Sequence, residues 1–200
     1  MSGYEVRVRV LKVGYAIPVG PARQRASGTI TLVTGPTNVL VDTGGPGDRD
    51  ALLAALAREG LAVRDIDVVV CTHGHCDHTG NLNLFPAATL LVSFDVCRGD
   101  LYTDHDFAGG RPYVVDEAIR VVPTPGHSGE DTSVIVHTSG GVYAVTGDLF
   151  ESRADLDDDR IWRATSRDPE RQDAHRREIL ALADHIVPGH GDAFPVPRVS

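Results

Sequence analysis

Four side chains able to bind metal, His73, His75, Asp77 and His78, fall within six residues of one another in Thr72-His73-Gly74-His75-Cys76-Asp77-His78-Thr79-Gly80. Before them, residues 66–72 form a short, continuous, β-branched run that reads as a strand buried on both faces. Loop positions held by strands are where binding groups sit, so the fold has to present this cluster from the end of a sheet strand. Along extended backbone the side chains alternate, so His73 and His75 point to one side and can grip one ion. Asp77 and His78 follow on a turning segment and can serve a second ion alongside. Gly74 and Gly80 let the backbone turn around them. Imidazole and carboxylate donors suit zinc, iron or manganese, and no thiolate set is present to specify a structural zinc.

Three later loops supply the same kind of group. Thr124-Pro125-Gly126-His127 follows a strand-like run, Gly147-Asp148 ends another, and Pro188-Gly189-His190-Gly191 ends a third. A histidine on one Pro-Gly turn is, by itself, an ordinary exposed residue, and Gly-Asp an ordinary turn; the force lies in all seven occurring together. His137, His175 and His185 read as structural or solvated. His105, in the loop 101–110, reads as surface, though such a loop could wall a cleft. Cys76 fills the variable slot of HxHxDH and, by alternation, aims away from the cluster. Cys71 and Cys97 read as core. Asp155, Asp157, Asp158 and Asp159 read as a solvated acidic loop, and Trp162 beyond them is placed to pack against a substrate.

The remaining sequence outlines the scaffold. Residues 4–13 alternate as a strand with Val6, Val8 and Val10 on one face. Residues 29–34 and 38–42 flank a Gly-Pro turn and should pair as a hairpin. Asp48 looks like the N-cap of a helix over 49–59, stopped by Gly60. Further strands are expected at 89–93, 118–122, 132–137, 142–146 and 185–187. A helix should open at Asp168-Pro169 and run to about residue 183. Two β-rich halves, each followed by a helix, suggest two packed sheets flanked by helices, an α/β or α+β chain of one domain over residues 1–200.

Composition narrows the function. With 42% hydrophobic and 24% charged residues the chain is ordinary globular protein. No apolar run approaches the ~20 residues of a membrane span, and the N-terminal stretch lacks a signal-peptide pattern, so a cytoplasmic enzyme is expected. Three cysteines without CxxC spacing argue against a disulfide framework. A net charge of −9, with Lys12 the only lysine, disfavours a general nucleic-acid-binding surface, although a local cationic cleft stays open.

The stretches VDTGGP (41–46), THGHCDHTGNLNLFP (72–86), TPGHSG (124–129), GDLFE (147–151) and VPGHG (187–191) resemble the metallo-β-lactamase superfamily of dinuclear hydrolases, over nearly the whole chain. That resemblance implies a four-layer αββα sandwich of two mixed sheets. It implies one metal held by His73, His75 and His127, a second held by Asp77, His78 and His190, and Asp148 bridging both. Asp42 matches a supporting aspartate behind the ligands. Two Zn2+ per chain are implied, with Mn2+ or iron as alternatives. A hydroxide between the metals would attack an ester, thioester, lactone or phosphodiester, with Asp77 carrying the proton to the departing atom. The nearest subfamily implies an endoribonuclease-type activity. Missing signals weaken several subclasses: a secreted β-lactamase wants a signal peptide, glyoxalase-type thioesterases a C-terminal helical domain, and transfer-RNA nucleases a basic arm. The competing class is redox, a mononuclear-iron persulfide dioxygenase, which needs fewer ligands than this chain carries.

Overall fold

A computed structural model of the chain describes residues 5–197. It opens with β1 (Arg7–Lys12), a hairpin of β2 (Tyr15–Gly20) and β3 (Arg23–Ser27), and then β4 (Ile30–Thr34) and β5 (Val39–Val41). Helix α1 (Arg49–Arg58) leads to β6 (Val68–Cys71), the single turn α2 (Cys76–Thr79), and β7 (Thr89–Val92), β8 (Asp95–Arg98) and β9 (Leu101–Tyr102). The second half contains β10 (Tyr113–Val114), β11 (Ile119–Pro123), β12 (Thr132–Thr138) and β13 (Gly141–Gly147). Helices α3 (Arg160–Arg163) and α4 (Pro169–Leu182) precede β14 (His185–Pro188) and β15 (Phe194–Pro195).

Seven strands form one sheet in the order β1-β4-β5-β6-β7-β8-β9, and six form another in the order β10-β11-β12-β13-β14-β15. Both are mixed. β5, β6 and β7 run parallel, as do β13 and β14, and the other pairs are antiparallel. Side-chain alternation explains the layering. In β6, Val68 and Val70 meet Val121, Val134 and Val187 of the facing sheet, while Val69 and Cys71 turn the other way, to Leu52 and Leu56 of α1. On the far side, Ile135, Ala144 and Ile186 pack on Ile179 and Ala183 around α4. The result is helix, sheet, sheet, helix. Each such fully buried aliphatic side chain contributes roughly 1.5–3 kcal/mol, so β6, buried on both faces, is a main anchor of the sheet that carries the cluster.

Most expected elements form within a residue or two of the expected ends. Val6, Val8 and Val10 do face the core between the sheets. Residues 30–34 and 39–41 do pair antiparallel. Asp168 caps α4 by accepting the Arg171 N–H at 3.1 Å. Asp48 precedes α1 but makes no such cap. Its carboxylate instead accepts the Gly45 N–H at 2.7 Å, the Ser27 hydroxyl and the Lys12 ammonium, tying the turn before the helix to β1 and β3.

Other expectations are corrected. Trp162 faces no substrate: it is 1% exposed, between the guanidiniums of Arg163 and Arg176 at 4.4 and 4.7 Å from its ring. Asp155 is likewise buried, paired with Arg176 at 3.1 Å, whereas Asp157 and Asp159 are exposed. Cys71 is core, but Cys97 is only half-buried, because its strand β8 is covered by the two-residue, exposed β9. The hairpin β2–β3 was not expected; it pairs with neither sheet and leaves Tyr15, Ile17 and Val19 exposed. No described helix is long and apolar enough to cross a membrane.

Candidate metal centre

All the candidate side chains leave the carboxyl ends of strands along one edge of the sandwich. Asp42 follows β5, the run 72–78 follows β6, His127 lies beyond β11, Asp148 directly follows β13, and His190 lies two residues beyond β14. Parallel pairing of β5 with β6, and of β13 with β14, makes these ends coincide. Residues up to 148 positions apart in sequence thereby meet in one hollow.

The donors fall into two groups joined by one carboxylate. His73 Nε2 lies 2.8 Å from His75 Nδ1, and His127 Nε2 lies 3.2 Å from the same atom. Asp148 Oδ2 is 3.3 Å from His127 Nε2 and 3.7 Å from His73 Nε2. Four donors about 2.0–2.1 Å from a shared tetrahedral ion would stand about 3.3 Å apart, so this spacing fits one cation. In the second group, Asp77 Oδ2 is 3.9 Å from His78 Nε2 and 3.7 Å from His190 Nε2. Asp148 reaches it as well, with Oδ1 3.2 Å from His78 Nε2 and Oδ2 3.3 Å from His190 Nε2. His78 Nε2 and Asp148 Oδ1 are buried yet have no hydrogen-bond partner. Such orphaned atoms are costly unless a cation takes them up, so the residues present fit bound metal.

A second layer holds the donors in place. Asp42, itself at φ +58°, accepts the Thr72 N–H at 2.8 Å and pairs with His78 Nδ1 at 2.8 Å, which turns His78 Nε2 toward the hollow. The His127 turn is built around buried Asp131, whose carboxylate accepts the N–H groups of Gly126 and Ser128 and the Ser128 hydroxyl. From α4, His175 Nδ1 donates to the Pro125 carbonyl at 2.8 Å, and Gln172 Nε2 donates to the Asp148 carbonyl at 3.0 Å. His175 is therefore structural, as expected. His190 Nδ1 faces the Ser27 carbonyl at 3.3 Å. A methyl group on Gly189 would overlap Asp148 Oδ1, which is why the turn before His190 needs glycine there.

The protein groups alone already polarise the cluster. Burial opposes charge on His78, but Asp148 and Asp42 outweigh it and hold its pKa well above the ordinary value. Burial, with His78 beside it, pushes His73 well below. Burial also lowers His127. Asp148 is held well below the usual carboxylate range by His78 and His73, against its own burial. His190 rises to about 9, since Asp148 and Glu151 outweigh burial.

The structure brings together His73, His75, Asp77, His78, His127, Asp148 and His190, with Asp42 behind them. His105 stays outside, its ring against Phe107 and Tyr113. His185 stacks on Tyr143, and His137 is exposed at the end of β12. Cys76 departs from the alternation expected of it: the backbone turns into α2 at this point, so Cys76 is exposed and lines the hollow with Asp77, His127, Asp148 and His190. One residue went unassigned by sequence. Glu151, three residues past Asp148, is buried beside His127 and His190, with its pKa pushed up to about 7 by burial and by Asp148.

A profile of the metallo-beta-lactamase superfamily matches residues 23–94. A Xenopus laevis protein called metallo-beta-lactamase domain-containing protein 1 is 50% identical over 192 residues, which are 94% of this chain and 81% of that protein. The Homo sapiens protein of the same name is 43% identical, over 99% of this chain and 85% of its own length. Among solved structures, an N-acyl homoserine lactone hydrolase with its product N-hexanoyl-L-homoserine at the catalytic metal center superposes with a TM-score of 0.67 at 17% identity, covering 95% of this chain and 94% of that one. A Thermotoga maritima protein shares the fold at a TM-score of 0.72 and 19% identity, over 96% and 99% of the two chains. The chain belongs to the metallo-β-lactamase superfamily of metallo-hydrolases.

Proposed function

We propose that the chain is a dinuclear, zinc-type hydrolase that cleaves an ester-like bond in an ester, thioester, lactone or phosphodiester. The observation that carries this reading is the completeness of the second donor group, Asp77, His78 and His190, and its junction with the first through both oxygens of Asp148. Two cations held there would make a water acidic enough to attack at neutral pH and would polarise the carbonyl or phosphoryl oxygen of the substrate. His73, His75 and His127 would hold one, and Asp77, His78 and His190 the other. Asp77 is half-buried on the open side of the cluster, where a departing atom would lie, and would deliver the proton to it.

The substrate would lie in the cleft that begins at His75, about 1050 Å³ in volume, with Gly74 and Ser93 on one side and Arg163, Arg167 and Arg171 on the other. Arg163 is engaged by Asp159, while Arg167 and Arg171 have no ion-pair partner among the described residues. Glu130 and Glu170 line the same cleft, so it has both signs of charge and favours no highly charged polymer. This supports a small substrate over a long nucleic acid. The lactone hydrolase of similar fold makes lactones the first class to try.

Elemental mass spectrometry on protein purified without chelators or a polyhistidine tag tests the reading. About two metal ions per chain, with turnover of a lactone, thioester or phosphodiester, is the expected result. One iron per chain with persulfide-dependent oxygen uptake would replace it with the redox reading. His127→Ala should empty the first site and abolish turnover; unchanged metal content would refute the ligand assignment.

A further inference from the structure

Glu151 is pinned to the loop that bears His190: its carbonyl accepts the His190 N–H at 2.8 Å, and its own N–H donates to Asp155 Oδ2 at 2.8 Å. Its two carboxylate oxygens face different partners. Oε1 accepts the Thr165 hydroxyl at 2.7 Å and lies 3.9 Å from His127 Nδ1, a buried nitrogen with no hydrogen-bond partner. Oε2 has no protein hydrogen bond among the described residues and lies 3.9 Å from His190 Nε2, the nitrogen that also faces Asp148 and Asp77. A carboxylate buried with a single donor is expensive, and an apolar side chain of similar size would avoid the cost. Oε2 is left to water or a cation in the hollow that Glu151 lines.

We propose that Glu151 is an eighth donor of the metal centre, with Oε2 joining His190 and Asp148 on the side of the second cation and Oε1 staying on Thr165 beside the His127 ring. This rests on the dinuclear reading above. Donor atoms of Asp148, Glu151 and His190 already lie within 4.8 Å of one another. Donors about 2.1 Å from one ion stand at most about 4.2 Å apart, so drawing Glu151 in beside Asp148 and His190 takes a movement of only about half an ångström. The charge balance changes with it. Asp77 and Asp148 set two negative charges against two divalent ions; Glu151 makes three. A second site with three carboxylates and two imidazoles is harder than the histidine-rich first site, so it should accept Mn2+ or Fe2+ more readily than the first. One chain would then hold two chemically distinct cations.

Stepwise Co2+ titration of the metal-free protein, read by visible absorption and calorimetry, distinguishes the roles without any assay of turnover. Wild type should take up two cobalt ions. Glu151→Gln keeps the shape and the Thr165 contact; it should bind the first ion as wild type does and the second roughly 100-fold more weakly. Glu151→Asp, shorter by one methylene, should fall between. With Mn2+, the spin-coupled two-ion resonance of wild type should vanish in Glu151→Gln. Unchanged uptake of both ions in a variant with wild-type circular dichroism overturns the proposal. So does a loss confined to the first ion, which would leave Glu151 as a support for His127 alone. A wild-type chain that takes up only one cobalt ion removes the dinuclear reading itself, and this proposal with it.

Discussion

The two donor groups share Asp148 but are built differently. The first, His73, His75 and His127, is tight, with His75 Nδ1 2.8 and 3.2 Å from its companions and the His127 turn wrapped around Asp131. The second, Asp77, His78 and His190, is looser, with Asp77 3.7 and 3.9 Å from its companions and partly open to solvent. The first has the spacing of a closed tetrahedral site. The second leaves room for further ligands. What separates them is less the ligand types than the support: Asp131 holds the backbone of the His127 turn but not its ring, whose Nδ1 has no hydrogen-bond partner, whereas Asp42 and the Ser27 carbonyl steady the imidazoles of the second directly.

The comparison breaks most completely at the residue both groups share. Asp148→Asn should lower the content of both metals, seen by elemental analysis, and bring hydrolysis to background, because its oxygens face His73, His127 and His190 on one side and His78 on the other. Loss of one metal alone would mean that Asp148 does not bridge. Next come the supports, which should act on one site each. Asp131→Asn, which leaves a turn N–H or the Ser128 hydroxyl poorly served, should weaken the first ion, and Asp42→Asn the second, each by roughly 10–100-fold; cobalt titration separates the two. Asparagine tolerates the positive φ at residue 42, so the second variant removes charge without adding strain.

The smallest effect belongs to a residue outside both groups. Burial raises the Asp48 carboxyl, but the Ser27 hydroxyl, the Gly45 N–H and Lys12 together outweigh it and leave the pKa below the usual value. A folded-state pKa below the unfolded one adds stability above the unfolded pKa, and that stability fades as pH falls through the folded value. Asp48→Asn should therefore cost up to about 1 kcal/mol at pH 7, reduced by the solvent around this part-exposed group. In urea melts the difference from wild type should shrink below about pH 4. Metal uptake should not change.

Legibility followed distance along the chain. His73, His75, Asp77 and His78 were readable because their spacing lies inside one loop after one strand. The layers were readable because Val6, Val8 and Val10 alternate along one face and residues 66–72 form a continuous run that suits a strand buried on both faces. Trp162 and Asp155 were misread because a polar-looking stretch gave no hint that Arg176, from the inner face of α4, would cover them. That inner face presents Gln172 and Arg176, so apolar periodicity could not reveal which loop it holds. Glu151 lay inside a motif already quoted, but nothing in the spacing told that its carboxylate turns inward.

Local sequence determined which residue types stand at the ends of which strands, since strand period and turn chemistry act over a few residues. Only the tertiary structure decided which nitrogen of each histidine faces the hollow, that the two oxygens of Asp148 face both groups, and that Glu151 is buried beside them. Those choices are made by the parallel pairing of β13 with β14 and by the packing of α4, which bring together groups whose separation along the chain no local rule can span.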